Sequence, residues 1–232
     1  MNVRLVLIPL AAAAVGLVVW KLAPASAANG PTPTPAATWR IGLGTEIKQG
    51  RNYDELPAES PIRLSFTCSE PRHVYVFSHS AEDGTVLMFP SADLKGGLTN
   101  PLPAGNTVLP GASGDSVSGQ KELAWTTRSG ILAATTMVVI ASREKVPELE
   151  ALIGKVRFWS TSVLRTGDMV VTKAKEGMEV LGPPRSAVPS PLLQRAADRA
   201  ITETMVNGPM HPDTTLPGVW TASWKVVEKK RD

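Results

Sequence analysis

Apolar and polar positions alternate over residues 62–68, where Ile62, Leu64, Phe66 and Cys68 are separated by Arg63, Ser65 and Thr67. A period of two predicts a strand with one dry face. His73 to Ser80 predicts the next strand, Asp83-Gly84 a turn and Thr85 to Phe89 the return, which together make a hairpin. Pro90 ends it, because proline has no N–H to give to a ladder. Ser91 to Ser118 is rich in Gly, Pro, Asn and Ser and predicts a long loop holding one short strand, Asn106 to Leu109. Lys121 to Thr126 and Ile131 to Ala141 predict two more strands, the second central because Met137 to Ile140 is apolar on both faces.

The pattern then changes period. Pro147-Glu148-Leu149-Glu150 opens a helix, with proline at the first position and acids at the positive end. Leu149, Leu152, Ile153 and Val156 fall on one face of it and are expected to pack on the sheet. Ser162 to Ala174 predicts one or two strands around a Gly167-Asp168 turn, and Gly182 to Pro191 a proline-rich connector. Ser190-Pro191 caps a second helix that runs to about Val206, where Asn207-Gly208-Pro209 stops it. Val219 to Glu228 predicts a final strand with Trp220, Ala222, Trp224 and Val226 on one face. The expected fold is mainly β, an antiparallel sandwich or open barrel with two short helices.

Composition narrows the setting. In a chain of 232 residues, 43% apolar and 19% charged, wholesale disorder is excluded. Residues 1–27 read as an export signal: Arg4, then the uncharged stretch Leu5 to Trp20, then Ala25-Ser26-Ala27 as a small-x-small cleavage site. The rival reading is an uncleaved N-terminal anchor, and both put the rest outside the cytoplasm, in the periplasm or cell envelope. Residues 28–38, with Pro31, Pro33 and Pro35 alternating with Thr, predict an extended linker. A β-rich domain over 39–160 and a C-terminal extension over 161–232, packed on it, complete the expected organisation.

The net charge of +3 falls to +1 once Arg4 and Lys21 leave with the signal, which excludes a dedicated nucleic-acid binder. The single cysteine, Cys68, excludes an intramolecular disulfide framework and continues a dry strand face, where burial works against a reactive thiol.

No catalytic constellation emerges. His73 and His79 share a strand face but lie roughly 20 Å apart, too far to share a metal, and His211 stands in a proline-rich turn. Gly-x-Ser-x-Gly and phosphate loops are absent, and the serines of Gly111 to Ser116 have no base beside them. Glu82, Asp83 and Asp93 read as turn formers and solvated charges. No cofactor or metal is expected.

The candidate binding residues are His73, Tyr75, Phe77 and His79 as an exposed face, Asn100 within the loop from Leu94 to Asp115, and Trp220 and Trp224 as a stacking platform. The Val74 and Val76 face is the better core candidate, although Tyr75 and Phe77 suit an interior equally. For Trp220 and Trp224 the competing reading is a place in the core.

Three segments carry a family likeness: Val74-Tyr75-Val76-Phe77 before Asp83 to Pro90, then Asn100 to Gly105 leading to Leu109-Pro110, and Met137 to Ser142 leading to Pro147. In order and spacing, residues Ile62 to Leu152 resemble the bacterial domain-of-unknown-function family numbered four-three-eight-four. Ser91 stands where that family has Asn, and residues beyond Val156 match nothing in it. The resemblance implies a small β-rich module on exported or membrane-tethered bacterial proteins, placed beside kinase or caspase-like domains for regulation or recognition. It brings no catalytic residues. The expectation is a non-enzymatic exported envelope protein whose β-rich domain binds another envelope protein, with membrane contact only through an uncleaved N-terminal segment. The alternative is a carbohydrate-binding module or weak hydrolase acting on cell-wall glycans, leaning on Trp220, Trp224 and the loop acids.

Overall fold

Ile62, Leu64, Phe66 and Cys68 all face the interior between two stacked sheets, as their alternation predicts. The computed structural model describes residues 33–42, 47–57, 60–80, 84–91, 97–113, 121–126, 134–153, 155–166, 169–174, 190–202 and 207–229. The expected signal over 1–27, the start of the linker, Glu82, Asp83, Asp93, Leu94, Asp115, the Gly167-Asp168 turn and most of the connector after Gly182 lie outside them. All described residues belong to one compact unit, Pro33–Asp232.

Among the described residues the elements run, in chain order, β1 (Ala36–Ile41), β2 (Lys48–Gln49), β3 (Asp54–Leu56), β4 (Pro61–Cys68), β5 (His73–Ser80), β6 (Gly84–Phe89), β7 (Gly105–Leu109), β8 (Ala112–Ser113), β9 (Lys121–Thr126), β10 (Thr135–Ser142), α1 (Pro147–Glu150), β11 (Arg157–Thr166), β12 (Met169–Ala174), α2 (Pro191–Thr202), β13 (Gly208–Pro209), β14 (His211–Pro212) and β15 (Val219–Glu228). One sheet has the order β13-β1-β4-β9-β12 and the other β11-β6-β5-β10-β15-β14. Most pairs are antiparallel, while β6 with β11, β9 with β12 and β3 with β15 are parallel. The antiparallel pair of β11 and β12 links the sheets on one side. On the other side Met210 alone separates β13 from β14, so residues 208–212 cross between the sheets. The fold is a mainly β sandwich and not a closed barrel.

Two apolar layers result. The first lies between the sheets and holds Trp39, Phe66, Val74, Val76, Met88, Trp125, Val139 and Trp224. The second lies on the outer face of the β5–β10 sheet, where Tyr75, Phe77, Leu87, Val138 and Ile140 pack against Leu149, Leu192, Leu193 and Ala196. The expected exposure of Tyr75 and Phe77 is thereby corrected. Both are buried, because α1 and α2 cover the face that a two-layer sandwich would leave wet. Strand β5 is dry on both faces, so its period-2 pattern carried no information about which face was inside.

Local sequence explains the helical layer. Ser190 Oγ accepts from Leu193 N at 3.1 Å, the expected cap. Glu148 Oε1 accepts from Leu192 N, a second free N–H of the same helix end, and so ties α1 to α2. The α1 helix stops at Glu150, shorter than the apolar spacing suggests, but Leu152, Ile153 and Val156 still pack on the same layer.

Strand edges are closed by asparagine amides. Asn100 Oδ1 accepts from Val74 N at 2.9 Å, Asn52 Oδ1 from Lys225 N at 2.9 Å and Asn207 Oδ1 from Trp39 N at 2.6 Å. Each supplies an acceptor where no neighbouring strand does, which keeps the edge from templating another chain. β1 begins at Ala36, inside the segment expected to be linker, because Ala36 and Ala37 pair with β13 and β4.

Candidate functional site

Three separate segments converge at one end of the sandwich. Arg72 directly precedes β5, Arg143 directly follows β10, Trp220 opens β15, and Glu70 sits in the turn between β4 and β5. Register fixes the convergence: His73 lies opposite Ser142, and Ser142 opposite Val219. The main chain of Arg72 is clamped by Leu102, with Arg72 N donating to Leu102 O at 3.0 Å and Leu102 N to Arg72 O at 2.8 Å. The loop carrying Asn100 and Leu102 thus forms one wall.

The Arg72 side chain is buried although it is charged. Its guanidinium carbon lies 4.3 Å from the centroid of the Trp220 ring, a cation–π contact strengthened by the absence of water. Nη2 donates to Glu70 Oε1, while Nε and Nη1 have no acceptor. Glu70 Oε1 also accepts from Arg143 Nε at 2.8 Å, so one carboxylate oxygen bridges two guanidinium groups. Glu70 is 38% exposed and Arg143 53%, so the cluster runs from the interior to the surface.

Electrostatics follow this geometry. The hydrogen bond from Arg143, assisted by the charge of Arg72, holds the Glu70 carboxyl below its ordinary pKa despite partial burial. Burial pulls the Arg72 guanidinium down and the charge of Glu70 pushes back; arginine stays protonated in either case. Burial pushes the Cys68 thiol up more than the nearby Arg72 charge lowers it. Its Sγ–H points at Pro103 O, 3.4 Å away. A buried, protonated thiol is a poor nucleophile. The arrangement is suited to holding an anionic group.

The expected site residues divide. His73, Asn100 and Trp220 lie at this end. Asn100 closes the β5 edge, and Trp220 is covered by Arg72 instead of offering a free face. Trp224 is in the core, its ring stacked on Trp39 and its Nε1 donating to Arg51 O at 2.6 Å. That corrects the stacking platform: an indole between two sheets cannot meet a sugar. His79 is at the far end of β5, its Nδ1 3.0 Å from Thr85 Oγ1, and burial lowers its pKa. Tyr75 and Phe77 are under the helices.

Glu70, Arg72 and Arg143 had no signal in the sequence, since an arginine between a proline and a strand reads as solvated. Among the described residues no group of three or more His, Cys, Asp or Glu is gathered for a metal, and no helix is long and apolar enough to cross a membrane.

A comparison with protein-family models finds no match, and comparisons with curated proteins and with solved structures find none either. The likeness over Ile62 to Leu152 rests on those residues alone.

Proposed function

We propose that the chain is a non-enzymatic recognition module, exported to the bacterial cell envelope, that binds another envelope protein through the end of the sandwich bearing Glu70, Arg72, Arg143 and Trp220. The observation that carries the reading is the Glu70 bridge, with Oε1 shared between buried Arg72 and exposed Arg143. Arginine and tryptophan in a partly desolvated cluster are the residue types that dominate protein interfaces. The uncharged run after Arg4, the Ala25-Ser26-Ala27 site and the Pro-Thr segment support export. The resemblance to the family numbered four-three-eight-four supports a recognition role.

Crosslinked affinity purification of tagged protein from the native envelope, read by mass spectrometry, tests this. The expected result is one near-stoichiometric partner, lost with Arg143→Glu, and a mature N-terminus that reports processing near Ala27. Retention of the same partner by Arg143→Glu would place the interface elsewhere. Turnover of an envelope substrate by the purified protein would overturn the non-enzymatic reading.

A further inference from the structure

We propose that Arg72 and Trp220 form a carboxylate-binding site whose place is held in the free protein by the protein's own Glu70. The inference rests on the recognition reading for its location and adds the chemical class of the ligand.

A guanidinium carries five N–H groups in a fixed planar fork that matches the two oxygens of a carboxylate. In Arg72 only Nη2 has a hydrogen-bond acceptor, and Nε and Nη1 are buried without one. Folded proteins leave few buried donors unpaired, and each one calls for a specific explanation. Here the protein supplies an aromatic face against the guanidinium, at 4.3 Å, and no oxygen for two of its nitrogens. Trp220 orients the fork and keeps water from that side, so an oxygen ligand must meet it in the guanidinium plane.

Glu70 shows which ligand suits the fork. It is the carboxylate now on Arg72, it belongs to a turn between strands, and it is the more exposed partner, at 38% against 1% for Arg72. Glu70 engages Arg72 through Oε1 alone, and that same oxygen serves Arg143. If Glu70 turned outward it would keep Arg143 as its partner, while Arg72 would gain a carboxylate whose two oxygens take one edge of the fork, Nη2 with either Nε or Nη1. The exchange swaps one carboxylate for another and leaves the buried charge paired throughout, which avoids the large penalty of an isolated buried ion. The ligand is therefore a carboxylate, carried by a small organic acid or by the end of a polypeptide.

The test is titration of the purified protein with acetate and with a short peptide bearing a free C-terminus, each against sodium chloride at equal ionic strength. The peptide amide serves as the uncharged control. Tryptophan fluorescence and the 1H–15N signal of the arginine Nε–H groups report binding. Wild type is expected to respond to carboxylate and not to chloride or amide. Glu70→Gln, which keeps a neutral acceptor but removes the competing charge, is expected to bind about tenfold more tightly, the gain that follows where a competing group leaves only about one-tenth of the sites open. Arg72→Lys is expected to abolish the response, and where that variant does not fold, Glu70→Gln decides alone. A response to acetate as strong as to peptide assigns a small acid, and a stronger peptide response assigns a chain end. Equal affinity of wild type and Glu70→Gln, or an equal response to the amide, overturns the proposal. A captured envelope partner without any carboxylate response removes the ligand class and leaves the recognition reading standing. A carboxylate response without a captured partner does the reverse.

Discussion

The Trp224 ring stacks on the Trp39 ring across the two sheets, with centroids 5.3 Å apart and planes inclined by 29°. Trp125 leans on the same ring at 6.4 Å and 54°. The three indoles are fully buried and come from β15, β1 and β9, so they join both sheets at one point. Each removes on the order of 200 Å² from water, roughly 5 kcal/mol of gross transfer free energy. Their polar atoms are treated differently. Trp224 Nε1 donates to Arg51 O, whereas Nε1 of Trp39 and of Trp125 has no acceptor.

That difference separates two otherwise similar substitutions. Trp224→Phe loses ring volume and also removes the indole donor from Arg51 O, which keeps only Asp54 N at 3.1 Å. Trp39→Phe loses the same volume but removes an N–H that had no partner. Urea unfolding is expected to show Trp224→Phe less stable than Trp39→Phe by about 1 kcal/mol. Equal losses would mean that the Arg51 bond contributes nothing.

Gly50 is the backbone counterpart of this stack. A Cβ there would come within 2.8 Å of Trp224 Cζ2 and 3.0 Å of Cε2. The ring cannot retreat, because Trp39 lies on it. Gly50→Ala is expected to cost about 1–3 kcal/mol, measured as a lower urea midpoint with an unchanged slope. Gly97→Ala meets nothing within 4 Å, and its cost comes only from a φ of +65°. Gly50→Ala combined with Trp224→Phe should recover part of the loss, whereas Gly97→Ala combined with it should not.

Asp213 links the helical layer to the sandwich. Arg195 on α2 donates to it twice, through Nε at 3.2 Å and Nη2 at 3.1 Å, and Thr215 N and Leu216 N donate at 2.9 and 2.8 Å. Burial alone would push its carboxyl up. The bonds from Arg195, Thr215 and Leu216 and the charge of Arg195 outweigh that and hold it below its ordinary value. A carboxyl with a depressed folded pKa contributes stability above its unfolded pKa of about 3.9 and loses it as pH falls through the folded value. Asp213→Asn is expected to cost about 1.5–3 kcal/mol at neutral pH. Its deficit relative to wild type should shrink below about pH 4. A deficit that does not change with pH would show that the charge of Asp213 is immaterial.

How much of this was legible can be judged element by element. The dry face of β4, the β5–β6 hairpin and β15 from Val219 to Glu228 follow from alternation because burial on one face imposes it. Strand β5 shows the limit. Val74 and Val76 face one apolar layer and Tyr75 and Phe77 another, so no polar face remained to orient the strand. The candidate site was nearly silent. Asn100 stood out as a loop residue, but its amide closes an edge. Arg72 is buried because Trp220, distant in sequence, lies across it beside its near neighbour Glu70, and a charge buried by a tertiary contact has no periodic signature.

Tyr75 offers the last test, because one hydroxyl connects the sheet to α1. Its OH donates to Glu150 Oε1 at 2.6 Å and accepts from Val146 N at 3.3 Å. Tyr75→Phe keeps the ring in the second apolar layer and removes only these bonds, leaving the Val146 N–H buried without an acceptor. The expected cost is about 1–3 kcal/mol at pH 7. Burial, and then the bond to Glu150, push the phenol well above its ordinary pKa of 10.0. A group whose folded pKa is raised contributes stability that is complete below the unfolded pKa and fades as pH rises toward the folded one. The gap between wild type and Tyr75→Phe should therefore be constant from neutral pH to about 9.5 and narrow above about 10. Urea unfolding of both proteins across that range measures it, with absorbance at 295 nm following phenol ionisation. A gap that is already closing at pH 8 would mean that another group controls the contact, and no gap at pH 7 would mean that water replaces both hydrogen bonds without loss.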